Sequence, residues 1–141
     1  MPPTRSDFQT LAQLRIRDGE VLLKAGNYSG CYYLIGYAIE CALKACIARR
    51  IKEFEFPPKW NVVRDSYYTH ELPKLLIAAE LNQEFEQKKN SDPKFDASWT
   101  VVKDWSEESR YNQYNEKEAK DFFEAVTDPT SGIFAWLSTL W

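Results

Sequence analysis

The segment Tyr28–Ile51 is apolar on nearly every side when it is plotted as a helix, and it constrains the fold more than any other part of the chain. A helix of this kind has to be covered on all sides in a soluble protein, because its apolar surface cannot face water. We therefore predict that this segment is the central helix of a bundle. Gly30 and Gly36 would weaken such a helix unless another helix packs close against them, so we expect close packing there.

The remaining apolar residues recur at helical spacing and predict the helices that cover the central one. We expect a first helix over residues 6–25, a third over about 69–87, a fourth that opens at Asp92, a last long helix from Glu116, and a closing helical segment over 133–140. A chain of 141 residues suits one hydrophobic core. We therefore predict one all-α domain over residues 1–141, an up-and-down helical bundle of four to five main helices.

The first helix has an apolar face that we expect to point toward the core, with Asp18 in its middle. An unpartnered buried carboxylate is costly, so Asp18 is either paired for structure or part of a site. The apolar residues of this face are Leu11, Leu14, Val21, Leu22 and Ala25.

Charge and cysteine usage exclude several classes of protein. The net charge of −3 argues against nucleic-acid binding by bulk positive charge, so any such binding depends on a local patch. Cys31, Cys41 and Cys46 have neither the even number of a disulfide framework nor C-x-x-C metal spacing, so we expect reduced core residues, no metal ligand and no cofactor. The N-terminus lacks the layout of a signal peptide, and we expect no run of the ~20 apolar residues that span a membrane. These features predict a cytoplasmic protein without membrane contact.

The few polar residues of the central helix form a stripe. Glu40 and Lys44 are four residues apart with the acid first, the favourable order for an ion pair, and Tyr33 and Tyr37 continue the same stripe. We expect an ion pair between Glu40 and Lys44.

The stretch 53–69 contains two prolines and no helical period, which predicts a long loop. Aromatic and basic residues alternate in it, and such a mixture can stack bases and hold phosphates. The loop can equally fold back and cap the core, and both interpretations stay open. The residues concerned are Phe54, Phe56, Trp60, Tyr67 and Tyr68 with Lys52, Lys59 and Arg64.

Three landmarks of the chain resemble the HEPN family. The stretch YYLIGYAIECALKA, residues 32–45, looks like the second helix of HEPN domains, in which a small residue, an acid and an L-K-A step follow an aromatic residue. The run Thr69-His70-Glu71-Leu72 resembles the family's His-acid-Leu entry into its next helix. Ser109-Arg110-Tyr111, ahead of an acidic helix, is similar to the third landmark. Together they span nearly the whole chain in the family's order.

The resemblance implies a bundle of four to five helices that forms a homodimer and acts on RNA or nucleotides. Active members are metal-independent endoribonucleases, often toxins of toxin–antitoxin systems, with an Arg and a His that are separated by four to six intervening residues. The Arg holds the scissile phosphate and the His shuttles the 2'-hydroxyl proton. The matching arginine here is Arg110, but no histidine follows it, and His70, the only histidine, would have to supply the acid or base. This departure leaves the enzymatic activity uncertain.

The candidate catalytic residues are therefore Arg110 and His70. Each has a structural alternative: His70 can fix the loop before its helix, and Arg110 can reach Asp18 or Glu40 in one buried cluster with Lys44. In that case, Arg110→Ala lowers the melting temperature by several degrees. The candidate binding residues are Arg64, Lys44, Glu40, Tyr37, Tyr111 and Trp60.

Three functions follow from these features. The first is a HEPN module, binding or toxin-like, that engages RNA or a nucleotide. The second is a noncatalytic accessory subunit that partners a nucleotidyltransferase, since similar HEPN chains occur beside such enzymes. The third is a structural dimer whose tryptophans cover a subunit interface. The tryptophans concerned are Trp99, Trp105, Trp136 and Trp141.

Overall fold

The computed structural model describes residues 3–54 and 69–141, except for the side chains of residues 52–54. All regular secondary structure in these residues is helical. Five of its α-helices have ten or more residues, so the predicted all-α bundle of four to five main helices is confirmed. The elements in order are α1 (Arg5–Lys24), α2 (Tyr28–Phe54), α3 (Leu72–Ala78), α4 (Asn82–Ser91), α5 (Pro93–Val102), a 3-10 helix (Glu107–Tyr111), α6 (Glu116–Thr127) and α7 (Ile133–Ser138).

Helix α2 is the centre of the bundle, as its composition predicts. It packs against α1, α3, the 3-10 helix, α6 and α7. The three cysteines on it are reduced and buried, as expected, and burial raises the pKa of the Cys31 and Cys41 thiols to about 11 and that of Cys46 to about 12. The apolar core therefore surrounds α2 over most of its length.

The expectation that no segment could span a membrane by length and composition was wrong. The segment Tyr28–Ile51 has 24 residues and a mean hydropathy of 1.3, which passes that test. The fold buries 67% of this apolar stretch, which is typical of the core helix of a bundle. No other helix of the described residues has this character.

Helix α1 lies along α2 but presents a different face from the one that we expected. A capping box between Thr4 and Asp7 fixes its start. Its buried residues include Ala12 and Gly19, whereas Val21 and Leu14 are exposed. The orientation is set by close packing, because Gly19 lets the side chain of Ile35 approach the α1 backbone so closely that a Cβ atom at position 19 would overlap it. Apolar periodicity could not reveal this, since glycine counts for little in such a pattern.

The close approach at Gly36 comes from a tryptophan and not from the helix that we expected. The indole of Trp105, in the turn after α5, lies on the α2 backbone at Gly36, where any Cβ atom would overlap it. Gly30 faces the side chains of Asn27 and Leu22. Gly36 therefore serves to admit a rigid ring into the core.

The helix predicted over residues 69–87 is in fact two helices. The break falls at Glu80, which has a φ of 55° in the left-handed region. Helix α3 packs on α2, while Phe85 of α4 packs on Phe95 and Trp99 of α5. One straight helix could not pack on both α2 and α5. These tertiary contacts therefore override the continuous helical period of the sequence.

In the C-terminal half, the helix starts predicted at Asp92 and Glu116 are confirmed. Asp92 accepts a hydrogen bond from the backbone N–H of Phe95 at the start of α5, and Asn115 forms a capping box with Glu118 at the start of α6. Trp99 and Trp105 are buried within the chain itself, so the core accounts for both without a subunit interface. Trp136 and Trp141 are partly buried against the core.

Candidate functional site

One surface carries most of the candidate site residues, and we call it the polar seam. It consists of Tyr33, Tyr37, Glu40 and Lys44 of α2, His70 before α3, and Glu107, Arg110 and Tyr111 of the 3-10 helix. The four α2 residues are spaced by four, three and four positions, so they share one face of the helix.

Glu40 is the buried end of the polar seam. Its side chain is 3% exposed, yet both carboxylate oxygens have partners. Lys44 Nζ donates to Oε2 at 3.1 Å, which confirms the predicted ion pair, and His70 Nδ1 lies 3.0 Å from Oε1. A buried carboxylate with two such partners is satisfied and fixed in place.

His70 connects three elements of the fold. Its second ring nitrogen, Nε2, lies 3.3 Å from the carboxylate Oε2 of Glu107 on the 3-10 helix. The imidazole is therefore held between Glu40 of α2 and Glu107. A neutral imidazole has one N–H, so it donates to one of these carboxylates, whereas the protonated ring donates to both. His70 thus ties the 3-10 helix to the central helix.

Arg110 and Tyr111 form the exposed end of the polar seam. Ser106 caps the 3-10 helix by accepting a hydrogen bond from the backbone N–H of Glu108. Arg110 Nη2 donates to the Tyr111 hydroxyl at 2.9 Å, and the guanidinium carbon lies 4.8 Å from the centre of the Tyr111 ring. The hydrogen bond to Tyr111, and to a lesser extent the nearby Tyr33 hydroxyl, raises the pKa of Arg110. Arg110 thus carries a full positive charge beside two phenols.

Within residues 3–54 and 69–141, no carboxylate forms an ion pair with Arg110. Its neighbours are hydroxyl groups, which do not neutralise a guanidinium. The Tyr111 ring beside it is 74% exposed. This combination offers a cation and an open aromatic face at the same point of the surface.

Tyr33 and Tyr37 lie between the buried end and the exposed end of the polar seam. The rings of Tyr33 and Tyr37 are stacked with their centres 6.4 Å apart, and Tyr33 also stacks on Trp105 at 6.0 Å. Burial, and after it the neighbouring Cys41 and Glu40, raises the pKa of Tyr37. Tyr37 therefore stays neutral at physiological pH and can act as a hydrogen-bond donor.

The predicted buried cluster of Asp18, Glu40, Lys44 and Arg110 was wrong. Asp18 lies on a partly exposed face of α1, where it pairs with Arg15 at 2.5 Å. Arg110 lies at the surface and contacts phenols, while His70 takes the place next to Glu40 that we expected for arginine. The error followed from the orientation of α1 and from the short 3-10 helix, which keeps Arg110 at the surface.

The structure brings together all the candidate residues that it describes. The polar seam includes Tyr37, Glu40, Lys44, His70, Arg110 and Tyr111. Trp60 and Arg64 lie outside the described residues, as do residues 55–68 of the predicted loop, whereas residues 53 and 54 belong to α2, so this helix continues further than predicted.

Two members of the seam were not among the candidates. Tyr33 continues the polar stripe of α2, and that pattern could have included it. Glu107 is three residues before Arg110, which puts both on one side of a 3-10 helix, but only knowledge of that helix type reveals this.

Comparison of this chain with protein-family models, with curated protein sequences and with solved structures finds no match in any of the three. The resemblance to the HEPN family therefore rests on the three sequence landmarks alone.

Proposed function

We propose that this chain is a HEPN-type module that binds RNA or nucleotides through the polar seam. The observation that carries the proposal is Arg110, an exposed guanidinium held by hydroxyl groups and free of carboxylate partners among the described residues. Guanidinium groups bind phosphate through charge-assisted hydrogen bonds. The exposed ring of Tyr111 beside it offers a stacking surface for an unpaired base.

Binding without cleavage is the activity that this geometry supports best. A general acid or base needs a ring nitrogen that faces the reacting atom. Both ring nitrogens of His70 face carboxylates instead, at 3.0 and 3.3 Å. We therefore assign to His70 a positioning role and to Arg110 the role of phosphate holder. The nucleotidyltransferase partner, the homodimer and the toxin–antitoxin role stay predictions from the family resemblance.

Fluorescence anisotropy with a short, labelled single-stranded RNA tests this proposal. We expect Arg110→Ala to weaken binding about tenfold or more, because it removes a charge-assisted contact to phosphate. Tyr111→Ala should weaken it by a similar or smaller factor through loss of stacking. The matched control is Arg17→Ala, which removes an exposed arginine of α1 that is not a member of the polar seam. Equal losses in Arg110→Ala and Arg17→Ala would show that binding is unspecific and would overturn the proposal.

Cleavage is tested in the same preparation. The RNA is incubated with the protein in EDTA and examined on a denaturing gel, and we expect it to stay intact. Cleavage that is lost in both His70→Ala and Arg110→Ala would establish a metal-independent ribonuclease and would refute the noncatalytic role.

A further inference from the structure

We propose that Glu107 selects ribonucleotides over deoxyribonucleotides by accepting a hydrogen bond from a ribose 2'-hydroxyl while Arg110 holds the adjacent phosphate. This inference rests on the proposed function and names the ligand class of the same site. It assigns a specificity role to a residue that the family landmarks do not include.

The first step of the argument is the placement of Glu107 relative to Arg110. Residues three apart in a 3-10 helix lie on the same side, one turn or about 6 Å from each other along the axis. Glu107 and Arg110 have this spacing within the 3-10 helix Glu107–Tyr111. A ligand bound on this side can therefore contact the Glu107 carboxylate, an acceptor, and the Arg110 guanidinium, a cation, at the same time.

The second step concerns the state of the Glu107 carboxylate. Its Oε2 faces His70 Nε2 at 3.3 Å, and its side chain is 44% exposed. A carboxylate has two oxygens and about four acceptor positions, so contact with one imidazole leaves room for a further donor. His70 is itself held by the buried Glu40. His70 thus fixes the orientation of the Glu107 carboxylate, and the exposed part of the carboxylate remains accessible to a ligand.

The third step is the chemistry of the ligand. A carboxylate accepts hydrogen bonds but repels phosphate, so a ligand that places only phosphates at this surface is disfavoured there. A ribonucleotide offers both groups that the surface needs, a phosphate for Arg110 and a hydroxyl donor for Glu107. The 2'-hydroxyl is the group by which a protein distinguishes RNA from DNA. A deoxyribonucleotide lacks this donor, so the Glu107 carboxylate keeps only its contact with His70 and gains no hydrogen bond from the ligand.

Competition binding tests this role with unlabelled RNA and DNA strands of the same sequence against the labelled RNA. For the wild-type protein we expect RNA to compete about tenfold better than DNA, the factor for one hydrogen bond to a charged group. Glu107→Ala should bring this ratio close to one, mainly because DNA binds more tightly once the negative charge is gone. Glu107→Gln, which keeps the side-chain shape, should give an intermediate ratio. The matched control Glu108→Ala removes the neighbouring exposed acid and should leave the ratio unchanged.

The possible outcomes separate this inference from the proposed function. Binding of RNA and DNA with equal affinity in the wild type, with loss in Arg110→Ala, would overturn the role of Glu107 and leave the binding module intact. A ratio that persists in both Glu107 variants would also overturn it. Absence of binding to RNA, to DNA and to AMP would refute both proposals. A parallel competition with AMP and dAMP distinguishes the source of the ribose: the same ratio there indicates a site for free nucleotides, and a ratio seen only with strands indicates a site for RNA.

Discussion

The two sides of α2 solve the problem of burial in opposite ways. The side against α1 is apolar and closely packed, with the side chain of Ile35 and the backbone carbonyl of Cys31 next to Gly19. The side that bears the polar seam keeps Glu40 buried and supplies it with Lys44 and His70 as partners. Replacing such a buried ionic group by apolar residues is often neutral or stabilising, so stability alone does not require it. The comparison teaches that the apolar side holds the fold together, whereas the polar side positions groups at the surface.

The largest effect that tests this comparison is expected on the apolar side. Ile35→Ala removes a fully buried side chain and leaves a cavity between α1 and α2, which should lower the free energy of unfolding by about 2–5 kcal/mol. Urea denaturation followed by circular dichroism measures this change. A loss below about 1 kcal/mol would mean that α1 and α2 separate or repack easily, contrary to the close contact at Gly19.

A smaller loss is expected for Glu40→Ala on the polar side. The substitution removes the carboxylate that Lys44 and His70 share, and we expect a cost of about 2 kcal/mol in the same assay. Glu40→Gln keeps the shape of the side chain and should cost less. The control is Glu71→Ala, an exposed acid next to His70, which should change stability by no more than about 0.5 kcal/mol. If Glu40→Ala proved as mild as this control, Glu40 would not hold the seam.

The smallest effects are expected for alanine substitutions of two glycines, Gly36 and Gly19, at which other side chains approach the helix backbone closely. Gly36→Ala would drive a methyl group into the rigid indole of Trp105, and Gly19→Ala would meet the side chain of Ile35, which can shift. Overpacking costs about 1–3 kcal/mol, partly offset by about 1 kcal/mol from the higher helix propensity of alanine. We expect a net loss for Gly36→Ala and a smaller change for Gly19→Ala, measured as a difference in melting temperature. The reverse order would show that Trp105 adapts more readily than Ile35.

Much of the fold follows from the sequence, because hydrophobic period and capping are local. The apolar stretch around α2, the Asp92 cap and the acidic start of α6 each predict their elements correctly. The break at Glu80 and the face of α1 could not be predicted, because both depend on contacts with distant parts of the chain.

The candidate site was only partly within reach of the sequence. The polar stripe of α2 identifies Tyr37, Glu40 and Lys44, and the resemblance to HEPN domains singles out His70 and Arg110. Neither could show that His70, rather than Arg110, contacts Glu40. The role of Glu107 depends on the 3-10 geometry after Trp105, which no local pattern indicates.

The salt dependence of RNA binding tests the central claim most directly, namely that Arg110 holds a phosphate. For a single strand, the slope of log K against log salt concentration changes by about 0.7 for each phosphate contact. We expect the slope for Arg110→Ala to be shallower than that of the wild type by about this amount, while Arg17→Ala keeps the wild-type slope. An unchanged slope in Arg110→Ala would contradict the account, because the positive charge at the exposed end of the polar seam would then take no part in binding.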